Sequence, residues 1–129
     1  MDQNFVFLLE KCSMGSLIGN EKINTSDKVS GCVIATSKGY PHEYKTGFQI
    51  NIGKIDPTDC QIFDSGTTFS DSGKLLTAGG RVLSIVCQEK DFDSVFEKAY
   101  KNLNEIHFEG IYFRNDIGHQ VRKNFSREN

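Results

Sequence analysis

The sequence predicts an α+β fold, a mainly antiparallel sheet with one long packed helix. Three observations carry that expectation. Val29 to Thr36 is a β-branched run that reads as a buried strand, and Val82 to Cys87 reads as a second, stronger one. Between them, short apolar stretches are separated by turn residues. From Asp91 to His107, Phe92, Val95, Phe96, Ala99, Tyr100, Leu103 and Ile106 recur at helical spacing.

The elements follow in order. "QNFVFLLEKCSMG" reads as a short helix with Phe5, Leu8 and Leu9 on one face and Gly15 as its stop. The polar stretch "NEKINTSDK" separates it from the rest. "FQINIG" alternates apolar and polar residues as a half-buried strand does, and "DSGK" reads as a hairpin turn. Gly79 and Gly80 break the pattern just before the strongest strand. Asp91 suits the N-cap of the long helix, Asp93 suits the positive end of its dipole, and His107 falls at its C-terminus. "FEGIYFR" returns as a strand, and "KNFSREN" reads as a solvated tail.

Bulk properties exclude several classes. With 129 residues the chain is long enough for one domain with a modest core. A net charge of -2 offers no basic face for nucleic acid or an anionic membrane. Nothing at the N-terminus resembles a signal peptide, and no apolar run is long enough to span a bilayer. Cysteines stand at 12, 32, 60 and 87 without a C-x-x-C pair. Cys32 and Cys87 lie in apolar runs, so the expectation is reduced, buried thiols in a cytoplasmic protein, with no disulfide and no metal site.

Three stretches are candidates for chemistry. In "TAGGRV", Gly79 and Gly80 permit close backbone approach, and the Arg81 guanidinium is a planar fork suited to phosphate or carboxylate. A surface arginine after a bend is the competing reading. "FRNDIGH" carries Arg114 and Asp116, which either pair to fix a turn or face a cleft. In "SKGYPHEYKTG", Gly39 and Pro41 punctuate a turn, while Tyr40 and Tyr44 offer amphipathic rings. No phosphate loop, H-E-x-x-H or G-x-S-x-G is present.

Taken in order, "CVIATSKGYPHEYKTG", "IFDSGTTFSDSGKLLTAGGRVLSIV" and "AYKNLNEIHFEGIYFRNDIGH" resemble the C-terminal domain of the phosphoribosylamine–glycine ligases, the glycinamide ribonucleotide synthetases. The resemblance runs from about Phe5 to about Val121. It implies a cytoplasmic purine-biosynthesis enzyme of the ATP-grasp superfamily. Such an enzyme activates glycine with ATP as an acyl phosphate, which the amine of phosphoribosylamine then attacks. The resemblance places ATP and Mg or Mn in an upstream region with no counterpart here, so it implies no catalytic residue in this chain. Residues 1–28 become the end of that upstream ATP-grasp region and residues 29–129 the C-terminal ligase domain. Arg81, with Gly79 and Gly80, becomes the candidate for the phosphate of phosphoribosylamine. Arg114 and Asp116 are further candidates at the same cleft, and Tyr40 and Pro41 shape its rim. The competing expectation is a free-standing interaction or phosphometabolite-binding module without catalysis.

Overall fold

The computed structural model describes residues 4–17 and 25–122. In chain order its elements are α1 (Phe5–Ser13), β1 (Val29–Ser37), β2 (Asn51–Ile52), β3 (Cys60–Asp64), β4 (Thr67–Phe69), β5 (Leu75–Thr77), β6 (Arg81–Glu89), α2 (Phe92–Leu103), β7 (Ile106–His107) and β8 (Ile111–Tyr112). The main sheet has the order β3-β6-β1-β8 with every pairing antiparallel. Two small two-stranded pairs, β2 with β7 and β4 with β5, complete the strands.

The long pairing of β1 with β6 runs from Val29↔Glu89 to Thr36↔Arg81, with a register shift between Ala35 and Thr36. Because successive side chains alternate across a strand, this register gives the sheet two different faces. Gly31, Val33 and Ala35 of β1 and Leu83, Ile85 and Cys87 of β6 are buried. They meet Val95, Phe96, Ala99 and Leu103 of α2 to form the core. The opposite face bears Cys32 and Ile34 of β1, Ser84 and Val86 of β6, and Gln61 and Phe63 of β3. At Gly31 the helix lies so close that a Cβ would run into the side chains of Val95 and Phe96.

Helix α2 starts as expected: Asp91 Oδ1 accepts from the Ser94 N–H at 2.9 Å. It ends four residues before His107. The Asn104 N–H donates to the Tyr100 carbonyl, and Ile106 and His107 pair with Ile52 and Asn51 as β7. Ile106 is buried as a strand residue, so its helical spacing from Leu103 misleads. The "DSGK" turn joins β4 to β5, with Gly73 at φ +77° and its N–H donating to the Ser70 carbonyl. "FQINIG" and "FEGIYFR" yield only the two-residue strands β2 and β8. Gly15, at φ +64°, follows α1 as its stop, but of the expected apolar face only Leu8 is buried, while Phe5 and Leu9 stand in solvent. The tail 123–129 and most of the polar stretch after α1 lie outside the described residues.

The cysteines depart from expectation. Cys60 and Cys87 are register partners across β3 and β6, 4.1 Å apart at Cα, and are joined by a disulfide. Cys32 is exposed, as is Cys12. Both differences come from pairing. A separation of 27 residues hides the Cys60–Cys87 contact, and alternation along "GCVIA" turns Cys32 away from the helix.

Replacing Gly31 with valine is expected to force α2 off the sheet and to destabilise the domain by roughly 1–3 kcal/mol, the usual range for overpacking a core. Urea unfolding monitored by circular dichroism checks this, and an unchanged midpoint would show that the contact is slack.

Candidate functional site

The site is built where β1 ends and β6 begins. Ser37 closes β1 and is buried. Its N–H donates to the Gly80 carbonyl at 2.8 Å, and its hydroxyl donates to the Gly79 carbonyl at 2.9 Å. The turn before β4 closes on the same point, with the Gly66 N–H donating to the Arg81 carbonyl at 2.8 Å. A Cβ on Gly66 would stand 2.7 Å from the Gly79 Cα, so these backbones touch only because both residues are glycine. The fourth part is the loop after β1. The Tyr40 ring lies against Gly80, where any Cβ would run into it.

Tyr40 and Gly80 come from separate motifs, and the fold brings them into contact. A cleft of about 520 Å³ opens beside them, lined by Ile34, Tyr40, Tyr44, Ser65, Gly66, Gly80, Arg81 and Ser84. Tyr40 and Tyr44 meet edge to face, with ring centroids 6.0 Å apart. Arg81 is exposed at the mouth of β6, and its guanidinium has no hydrogen bond or ion pair among the described residues. The N–H groups of Gly79 and Gly80 likewise have no acceptor among them. Pro41 follows Tyr40 through a cis peptide bond and is exposed outside the cleft lining.

Arg114 and Asp116 are engaged with each other. Arg114 Nε donates to Asp116 Oδ1 at 2.8 Å and Nη2 donates to Oδ2 at 2.7 Å, a bidentate pair. Neither residue lines the cleft with Arg81. The hydrogen bond from Arg114 holds the Asp116 carboxyl below the ordinary aspartate range, with burial opposing it. Tyr100 of α2 pins the same turn: its hydroxyl donates to the Arg114 carbonyl at 2.7 Å and accepts from the Ile117 N–H at 3.1 Å. Burial is the main cause that raises the Tyr100 phenol above its usual value.

Sequence reasoning found Arg81, both glycines and Tyr40, but not Ser37, Ser65, Gly66 or Ser84. The "DSGTT" stretch carried a signal for Ser65 and Gly66, since a small residue before glycine marks a close turn. Ser37 and Ser84 carried none, because their importance lies in register. Among the described residues no group of three His, Cys, Asp or Glu side chains is placed to hold a metal ion. The sequence carries no lysine-bearing phosphate loop, and the resemblance places nucleotide and metal in the upstream region.

Residues 30–120 match the family described as Phosphoribosylglycinamide synthetase, C domain. A phosphoribosylamine–glycine ligase of Caldanaerobacter subterraneus is 43% identical over 114 residues, covering 88% of this chain and 27% of that protein. A bifunctional purine biosynthetic protein of Dictyostelium discoideum is 35% identical over 119 residues, covering 91% of this chain and 14% of that protein. Among solved structures, the phosphoribosylamine–glycine ligase of Thermotoga maritima superposes with a TM-score of 0.60 at 33% identity, covering 67% of this chain and 21% of that one. The chain thus spans about a quarter or less of these relatives.

The Arg114–Asp116 pair sets a pH dependence. A carboxyl lowered in the folded state contributes stability above its unfolded value and loses it as the pH falls through the folded one. Asp116 is therefore expected to stay ionised below the ordinary aspartate value of about 3.9. Arg114→Gln should return its titration to that value, as read by NMR of the side-chain carboxyl. Identical titration curves for the two proteins would dissolve the pair in solution.

Proposed function

The chain belongs to the phosphoribosylglycinamide synthetase C-domain family, and from that premise we propose that it is the C-terminal part of an ATP-dependent ligase. In this reading the ligase joins glycine to 5-phosphoribosylamine, giving glycinamide ribonucleotide, ADP and phosphate in purine biosynthesis in the cytoplasm. The part described here forms the phosphoribosylamine side of the site. ATP, its Mg or Mn and the reacting glycine belong to the upstream ATP-grasp region, whose end is residues 1–28; residues 29–129 are the C-terminal domain.

One observation carries the assignment within this chain: among the described residues, the Arg81 guanidinium stands uncommitted at the cleft mouth, directly after two glycines whose N–H groups are also uncommitted. A phosphate monoester needs several donors converging on one point, and a cationic fork beside backbone N–H groups supplies them. The Tyr40 and Tyr44 rings give the ribose an apolar wall, and the cleft volume of about 520 Å³ accommodates a sugar phosphate. Arg114 and Asp116 enter as a pair that fixes the turn after β8, because their mutual bidentate contact already occupies both groups. Tyr40 and Pro41 set the path of the loop over Gly80.

Two outcomes are expected. Arg81→Ala in the full-length ligase should lower kcat/KM for phosphoribosylamine roughly 10- to 150-fold, the 1.5–3 kcal/mol of a lost charge-assisted contact, and leave ATP binding intact. Steady-state kinetics with each substrate varied in turn reads this directly, and unchanged constants would remove Arg81 from the site. Alone, the chain should neither hydrolyse ATP nor form product, because phosphoryl transfer depends on metal and cationic groups that this reading places in the upstream region. Glycine-dependent release of ADP by the purified chain would contradict that.

A further inference from the structure

The sheet face turned away from α2 is uncovered among the described residues. Phe63, Ile34 and Tyr112 on it are 49%, 40% and 58% exposed. Across its centre run the rows Phe63, Ser84, Ile34 and Gln61, Val86, Cys32. Neither row contains a charged residue, although a quarter of the chain is charged. The outer face of a solvated antiparallel sheet is normally its polar side, where charged residues collect. Central rows kept free of charge and holding large apolar side chains, with Arg81 only at their edge, mark a contact surface.

The cleft opens on this same face, since Ile34 and Ser84 belong to both. Whatever covers the face therefore also forms the second wall of the cleft. A second copy of the chain fits poorly. A two-fold contact here would occlude the cleft and bring two Arg81 cations to one interface. The remaining polypeptide is large: the chain spans 27% of the Caldanaerobacter ligase and 21% of the Thermotoga one.

We infer that the upstream region of the same ligase docks on the face marked by Cys32, Ile34, Phe63 and Tyr112, closing the cleft between the two parts. The inference rests on the ligase reading above and adds the surface through which the parts meet. Docking buries the apolar row and leaves Arg81 at the edge of the contact, facing a water-poor cavity rather than bulk solvent.

Cys32 is a built-in reporter, because its exposed thiol sits in the middle of the face, whereas Cys12 lies on α1. Iodoacetamide labelling followed by peptide mass spectrometry is run on the 129-residue chain and on the full-length ligase, with turnover measured in parallel. Labelling of Cys32 is expected to slow by at least about tenfold in the full-length protein, as for a thiol removed from solvent. Phe63→Glu, which alters an exposed side chain outside the cleft lining, should restore most of that rate and weaken turnover. Cys32 labelled equally fast in a full-length enzyme that turns over would overturn the inference and leave the ligase reading standing. Concentration-dependent protection of Cys32 in the 129-residue chain would assign the face to self-association instead. A full-length protein that makes no glycinamide ribonucleotide would remove the ligase reading and this inference with it.

Discussion

Two hydrogen bonds from one buried serine hold the candidate site together. Ser37 donates through its N–H to Gly80 and through its hydroxyl to Gly79, satisfying two carbonyls in a turn that contributes no side chains. A buried carbonyl left without a donor costs about 1–3 kcal/mol, so the turn is stable only where β1 ends on it. The contact also fixes where β6 can begin. Arg81 then pairs with Thr36 across the register shift, and its side chain leaves the sheet on the face away from α2. Gly66 completes the arrangement from a third segment, and Tyr40 closes over it from the loop after β1. The placement of a cation thus depends on neutral groups that never touch it.

From that point the two faces of the sheet divide the labour of the fold. The helix side carries stability: Val33, Ala35, Leu83 and Ile85 pack on α2 through a gap narrow enough to require glycine at 31. The other side carries the cleft and the apolar row. One strand serves both, because alternate residues of β6 point to opposite sides. Ile85 is in the core, and its neighbour Ser84 lines the cleft. From Leu83 to Cys87, past the register shift, substitutions therefore separate by parity into those at 83, 85 and 87 that disturb the core and those at 84 and 86 that alter the opposite face.

The local elements were legible because their determinants are local. The Asp91 cap, the "DSGK" turn and the Gly79–Gly80 break each lie within a few residues of what they control. What could not be read depends on residues far apart in the chain. Gly80 meets Tyr40 and Cys60 meets Cys87 only after the strands are paired. Ile106 fits the helical period by coincidence and is buried through β7. Arg114 and Asp116 allowed two readings in sequence, and their bidentate geometry favours the one in which they hold a turn. The stretch "SKGYPHEYKTG" is the intermediate case. Its turn residues were visible, whereas the reason for Tyr40 lies 40 positions downstream, in a glycine that leaves room for its ring.

Solvent decides what Arg81 can do. On an open face, a guanidinium and a phosphate gain little, since exposed ion pairs contribute about 0–1 kcal/mol after screening and side-chain ordering. Covering the face changes the dielectric around the same atoms, and Coulomb attraction rises as effective ε falls from about 80 toward 20. Backbone N–H groups such as those of Gly79 and Gly80 gain most from this change, because they are already held in place by Ser37 and lose no further freedom when a ligand arrives. In the proposed reading, the recognition chemistry lies in this domain, whereas its strength depends on the surface that excludes water from it. On that reading, this domain selects the substrate and the upstream region supplies the groups that react with it.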